Sequence, residues 1–160
     1  RAGLIHPEMG HMFVPQDPAR DDFAGVCPFH GNCLEGLASG PSMEKRWAVK
    51  TATELPDEHP AWDLEAHYLA LAFANCVLTL SPQRIILGGG VAGNARLHPK
   101  IREKMRTLLN GYIQHDSILK NAEDYVVGPG LGGRSGIRGA LALAEQSSLR
   151  SKPRRTARAE

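Results

Sequence analysis

His11, Cys27, His30 and Cys33 fall within 23 residues of a stretch that prolines, glycines and aspartates punctuate too often for regular secondary structure. No other feature constrains the chain as much. A segment of that length without helix or strand loses conformational entropy on ordering and needs something other than a backbone ladder to hold it. The pattern H-x15-C-x2-H-x2-C offers two thiolates and two imidazoles, a set that zinc accepts tetrahedrally with no position left open for water. The expected site is therefore structural, and its binding free energy would offset much of the entropy lost by the loop. Incidental cysteines and histidines are the plainer alternative, because the spacing is not a common finger pattern. Cys76 lies on the apolar face of a helical run and reads as a small buried hydrophobe, while His6 reads as a bystander.

At 160 residues and 42% hydrophobic content, the chain is long and apolar enough for one core. The net charge of +2 is small, and much of the positive excess falls between Arg150 and Arg158. Residues 148–160 are expected to be a basic, disordered tail. That tail lacks aromatic residues for base stacking, which argues against nucleic-acid binding. No run approaches the roughly 18 apolar residues of a membrane span, and the opening residues carry no charged-then-apolar signal, so a cytoplasmic protein is expected. The opening also lacks an initiating Met and any cap, and the chain reads as beginning mid-structure.

Leu34, Leu37, Ala38, Met43 and Trp47 recur near helical spacing, broken by Ser39-Gly40-Pro41, which predicts two short helices around a turn. Residues 51–60 read as a connecting loop. Ala61 to Leu80 gives the strongest helix signal, with Leu64, Tyr68, Leu71, Ala72, Asn75 and Leu78 on one stripe, and should be largely buried. A strand is predicted over Arg84 to Leu87, ending in a glycine triplet. Helical residues resume at Pro99, with Ile101, Met105, Leu108 and Leu109 facing inward. Tyr125-Val126-Val127 reads as a further strand and Ile137 to Gln146 as a final helix. Alternating helices and strands predict an α/β layer architecture.

Gly88-Gly89-Gly90 directly after an apolar strand lets the backbone approach a ligand with no Cβ in the way, and the following helix is expected to add its positive end. A nucleotide or phosphate site is suggested, with a plain tight turn as the alternative, since neither the dinucleotide fingerprint nor the Walker motif is present. Glu8 and Glu35 flank the Cys/His loop. Carboxylates held on rigid backbone accept paired hydrogen bonds from neighbouring hydroxyls, although a helix cap or a surface charge explains such residues equally well.

Taken in order, HPEMGHM at 6–12, CPFHGNCLEGLASGP at 27–41 and LSPQRIILGGGV at 80–91 resemble the ROK family of sugar kinases, from about Gly3 to Gln146. Many ROK proteins carry C-x-C-G-x-x-G-C, whereas Cys27-Pro-Phe-His30-Gly-Asn-Cys33 resembles the histidine-substituted form of the fructokinase branch. The resemblance implies the carboxyl-terminal lobe of an actin/hexokinase-like (ribonuclease H-like) ATPase fold over residues 1–147. It implies that His11, Cys27, His30 and Cys33 hold zinc and that Glu8, His11 and Glu35 line a hexose pocket. Pro41 and Gly88, Gly89, Gly90, Val91 and Ala92 would lie along ATP, with Mg2+ as its companion.

The implied activity is phosphorylation of a hexose, fructose first among them, by ATP, in a family whose full-length members are commonly homodimers. The family's catalytic aspartate belongs to its amino-terminal lobe, as does another glycine-rich phosphate turn. Neither has a counterpart in these residues, so no catalytic base is expected in this chain and the chain alone is expected to be inactive. The last helix of the family packs on that other lobe, which predicts exposed apolar residues over Leu141 to Ala144. A sugar-responsive ROK repressor and a non-catalytic zinc or sugar-binding remnant are the competing readings; upstream sequence would decide for the repressor and ligand titration for the remnant. The choice among fructose, mannose and glucose is not legible, because epimer discrimination depends on pocket geometry.

Overall fold

The computed structural model describes residues 7–94 and 96–150. His6, the Leu4-Ile5 pair and most of the expected basic tail lie outside the described residues. The chain divides into two compact units, one ending at Gly128 and one beginning at Pro129.

In the first unit, α1 (Leu34–Leu37) and α2 (Gly40–Trp47) are the expected pair of short helices. Ser39 separates them: its hydroxyl accepts from the Ser42 backbone N–H, while the Ser39 N–H donates to Ser42 Oγ at 2.8 Å, closing a capping box. Pro41 sits in the first turn of α2, where a missing N–H costs nothing. The loop over 51–60 contains one short 3-10 turn, Ala52–Glu54. After it, α3 (Ala61–Leu80) has the bounds that the apolar run predicted. β1 (Ile85–Ile86), α4 (Leu97–Leu109), α5 (Asp116–Leu119), α6 (Ala122–Tyr125) and β2 (Val126–Val127) follow. β1 and β2 are parallel, with Ile85 opposite Val126 and Ile86 opposite Val127, so the three intervening helices form the crossover that a parallel pair requires.

Both strands are shorter than predicted. Tyr125 ends α6, and its hydroxyl donates to the Pro82 carbonyl instead of its backbone joining the ladder. The core centres on α3 and α4. Leu97, Ile101, Met105 and Leu109 follow one another every fourth residue and are all buried. Leu108, expected inside, is 40% exposed; the helix starts two residues ahead of Pro99, and the inward stripe is set by Leu97 instead. On α3 the side carrying Leu64, Tyr68 and Ala72 is buried, but its continuation, Asn75 and Leu78, is exposed. Only the opposite side, Ala66, Ala70, Ala74 and Val77, stays buried along the helix. Cys76, expected as a small buried hydrophobe, is intermediate.

A buried polar cluster ties the Cys/His loop to this core. Arg46 Nη2 of α2 lies 3.1 Å from Asp21 Oδ2, and Arg46 Nη1 donates to the Leu37 carbonyl. The Tyr68 hydroxyl donates to Asp21 Oδ2 at 2.6 Å, and the Arg46 guanidinium stacks 4.4 Å from the Phe23 ring centroid. Burial and the neighbouring carboxylate push the Tyr68 phenol above its ordinary range, so it remains a donor. Tyr68→Phe is expected to cost about 2 kcal/mol, the scale of a hydrogen bond to a charged group, read as a lower urea midpoint with an unchanged m-value.

In the second unit, α7 (Ser135–Arg150) starts earlier and ends later than predicted. Leu141 and Leu143 are 65% and 67% exposed, within the stretch where apolar surface was expected, and Ile137, outside that stretch, is 70% exposed.

Candidate functional site

The loop between Met12 and Asn32 carries little backbone pairing. An isolated bridge joins Phe13 to Cys33, and another joins Cys27 to Gly31 in a tight knuckle. Gln16 Nε2 donates to the Asp21 and Phe23 carbonyls, and Asn32 Nδ2 donates to Gln16 Oε1. Where the knuckle passes over α1 the approach is so close that only glycine fits: a Cβ on Gly36 would lie far inside van der Waals contact distance of the Gly31 carbonyl oxygen.

This folding brings the four predicted donors together. The ligand atoms of His11, Cys27, His30 and Cys33 all lie within 4.8 Å of one another. Cys27 Sγ is 3.7 Å from Nδ1 of both His11 and His30, and Cys33 Sγ is 3.6 Å from His11 Nδ1. A tetrahedral ion with metal–sulfur and metal–nitrogen bonds of about 2.3 and 2.05 Å spans a sulfur-to-nitrogen edge of roughly 3.6 Å, so the four residues can hold a metal. The His30 backbone N–H, donating to Cys27 Sγ at 3.4 Å, holds the Cys27 thiol at about 6, whereas burial raises that of Cys33. One sulfur of the pair is thus readily a thiolate, the form that binds metal.

The other nitrogen of His11 faces outward from this group. Its Nε2 lies 3.2 Å from Glu35 Oε2, and Gly10 leaves room for that carboxylate, its Cβ position being 3.7 Å from the same oxygen. A histidine that holds a metal through one nitrogen and meets a carboxylate with the other has its tautomer and ring orientation fixed. Glu8 is exposed and precedes the same 3-10 turn, Met9–His11, that carries His11, its backbone carbonyl accepting from the His11 N–H.

The second set of predicted residues borders two adjoining concavities. Gly88, Gly89, Gly90, Val91 and Ala92 line a cavity of about 180 Å³ beyond the carboxyl end of β1, where parallel sheets usually bind ligands. Gly89 has φ +105°, a conformation that L side chains rarely adopt. Pro41, together with Gly90 and Val91, borders a larger pocket of about 660 Å³, walled also by Trp62 and Asn94. The helix whose amino end meets this cavity is α2, through Ser39 and Gly40, and not α4 as expected. The 3-10 turn Val91–Gly93 intervenes between the glycines and α4.

Sequence reasoning passed over two residues here. His98 Nε2 lies 3.1 Å from the Ala92 carbonyl oxygen and, when protonated there, donates to it and steadies the turn. Glu65 lines the smaller cavity at 1% exposure. Its one sequence signal was an acid in the second turn of the most apolar helix.

The ROK family profile matches residues 1–147. This chain belongs to the ROK family. Among curated relatives, the fructokinase of Pediococcus pentosaceus is 43% identical over 143 residues, covering 89% of this chain and 48% of that one. The fructokinase of Zymomonas mobilis is 39% identical, covering 89% and 46%. The ROK hexokinase of Thermus thermophilus superposes with a TM-score of 0.62 at 25% identity, over 86% of this chain and 48% of that one. The actin/hexokinase-like α/β fold expected from the motifs is therefore the fold of this ROK chain. The chain spans about half the length of the curated relatives it matches. Among the described residues, no helix is long and apolar enough to cross a membrane.

Proposed function

We propose that this chain is the carboxyl-terminal, ligand-contacting lobe of an ATP-dependent hexose kinase that phosphorylates fructose at its 6-hydroxyl. The observation that carries the reading is the double engagement of His11, with Nδ1 in the donor cluster and Nε2 at Glu35. Zinc is the ion the donors suit: two sulfurs and two imidazoles, spaced for a tetrahedron with no open position. Bound there, it supplies a crosslink and takes no part in the reaction.

Glu8, His11 and Glu35 then stand on backbone that the cluster holds still. The two carboxylates accept hydrogen bonds from sugar hydroxyls, with His11 Nε2–H donating to Glu35 to hold it in place, which fixes the hexose and aims its 6-hydroxyl. Across the glycine turn, the 660 Å³ pocket has room for a nucleoside, and the Gly88–Ala92 backbone lies beside the space for its phosphates. ATP with Mg2+ supplies the phosphoryl group. Transfer also needs a base, and the family's aspartate has no counterpart here, so the base comes from outside these residues. Fructokinase relatives and the His30 form of the cluster favour a kinase over a repressor.

Isothermal titration of the zinc-loaded chain tests this. Fructose and ADP are each expected to bind, Glu8→Gln is expected to weaken fructose about 10-fold to 100-fold, and a coupled kinase assay should show no turnover. Binding of neither ligand at one zinc per chain would make the protein a structural remnant. Normal turnover would contradict the missing base.

A further inference from the structure

Glu65 is not among the ligand-contacting residues named above, yet its environment demands a partner. It sits on α3 at 1% exposure, and its Oε2 has no hydrogen-bond partner. Buried polar atoms are paired in the great majority of cases, and each exception calls for an explanation such as an absent water, ion or ligand. Glu65 also lines the 180 Å³ cavity, between Ser39-Gly40 at the amino end of α2 and the backbone of Gly88 to Ala92.

Those two flanks share one preference. The capping box takes the N–H groups of Ser39 and Ser42 and Pro41 has none, so the amino end of α2 offers the Gly40 N–H and the positive end of its dipole, while the glycine turn lets an anion come close to main-chain amides. An ionised carboxylate on the same cavity would oppose that preference. Burial, however, pushes the Glu65 carboxyl up to about 8, with Arg46 the one charge that opposes the shift. At neutral pH the group is an acid with an O–H to give, and an anionic oxygen is its natural acceptor. The remaining walls, among them Leu69 and Leu87, offer no competing side-chain acceptor.

We propose that Glu65 is a nucleotide-contacting residue, its carboxyl O–H donating to a phosphate oxygen held between the α2 amino end and the Gly88–Ala92 turn. The assignment rests on the nucleotide reading above and adds a side-chain donor to it. Phosphate, rather than sugar or base, is the group recognised, so the contact distinguishes ADP from adenosine.

Titrations of ADP and of adenosine into the full chain at pH 7, for wild type, Glu65→Gln and Glu65→Leu, test the assignment, with circular dichroism confirming each fold. Glu65→Leu is expected to weaken ADP about 10-fold to 100-fold, the scale of a hydrogen bond to a charged group, and to leave adenosine within about twofold. Glu65→Gln keeps an N–H donor and is expected to hold ADP within about threefold. Unchanged ADP binding by Glu65→Leu overturns the assignment while leaving the nucleotide site intact. An equal loss of ADP and adenosine, or a large ADP loss in folded Glu65→Gln, also overturns it. A wild-type chain that binds neither ligand overturns the nucleotide reading itself, and this proposal with it. If Glu65→Leu fails to fold, folded Glu65→Met, which is closer in shape and also lacks a donor, is held to the same expectations for ADP and adenosine.

Discussion

Cys33→Ala is expected to abolish metal binding, release the segment from Met12 to Asn32 and lower the melting temperature by more than about 10 °C. Cys33 is fully buried, flanks α1 at its N-cap position and brings its sulfur within 3.6 Å of His11 Nδ1. The segment it anchors has two isolated bridges and a few side-chain bonds in place of a ladder. Structural zinc in small domains contributes about 10 kcal/mol or more, comparable with the whole stability of an ordinary domain. Even a third of that, at about 2 to 4 °C per kcal/mol for a chain of this size, gives a shift of that order. The α3–α4 core supplies none of the four donors and should keep its helical signal. Thermal melting with limited proteolysis checks both halves of the expectation, with Cys76→Ala as the control that leaves melting near wild type. A Cys33→Ala chain that melts and resists protease like wild type would show that the loop is held by something else.

Glu65 makes stability depend on pH in an unusual direction. In the unfolded chain the carboxyl ionises near its ordinary value of 4.5, whereas in the folded chain it does so at about 8. Between those values the folded state holds one more proton than the unfolded state, so this group's contribution is complete below 4.5 and fades as pH rises toward 8. The loss over that window has an upper limit of about 4 to 5 kcal/mol. Urea unfolding at pH 5 and pH 8 is expected to show wild type losing several kcal/mol more than Glu65→Gln, which cannot ionise. Parallel losses in the two chains would mean that the folded carboxyl titrates normally and reaches water.

The features legible in the sequence are those with local signatures. The four candidate metal donors announce themselves by residue type, α3 by a long and mostly apolar run, and the glycine turn by composition. The details that depended on packing were not. Asp21, Arg46 and Tyr68 are far apart in the chain, and nothing local says that they meet. Both sides of α3 are apolar, so its pattern could not tell that Leu78 would emerge and Glu65 would be enclosed. That α2, not α4, would present its amino end to the glycine cavity follows from how α1 and α2 fold back over α3. The pairing of Glu35 with His11 required the knuckle at Cys27–Gly31 to bring two distant segments to one point.

Metal analysis of the purified chain bears most directly on the central claim, that one ion clamps His11, Cys27, His30 and Cys33 and so fixes the sugar-facing carboxylates. One zinc per chain, retained through gel filtration and absent from Cys33→Ala, is the expected result. A well-folded wild-type chain with no bound metal, and no gain in melting temperature when zinc is added, would contradict it.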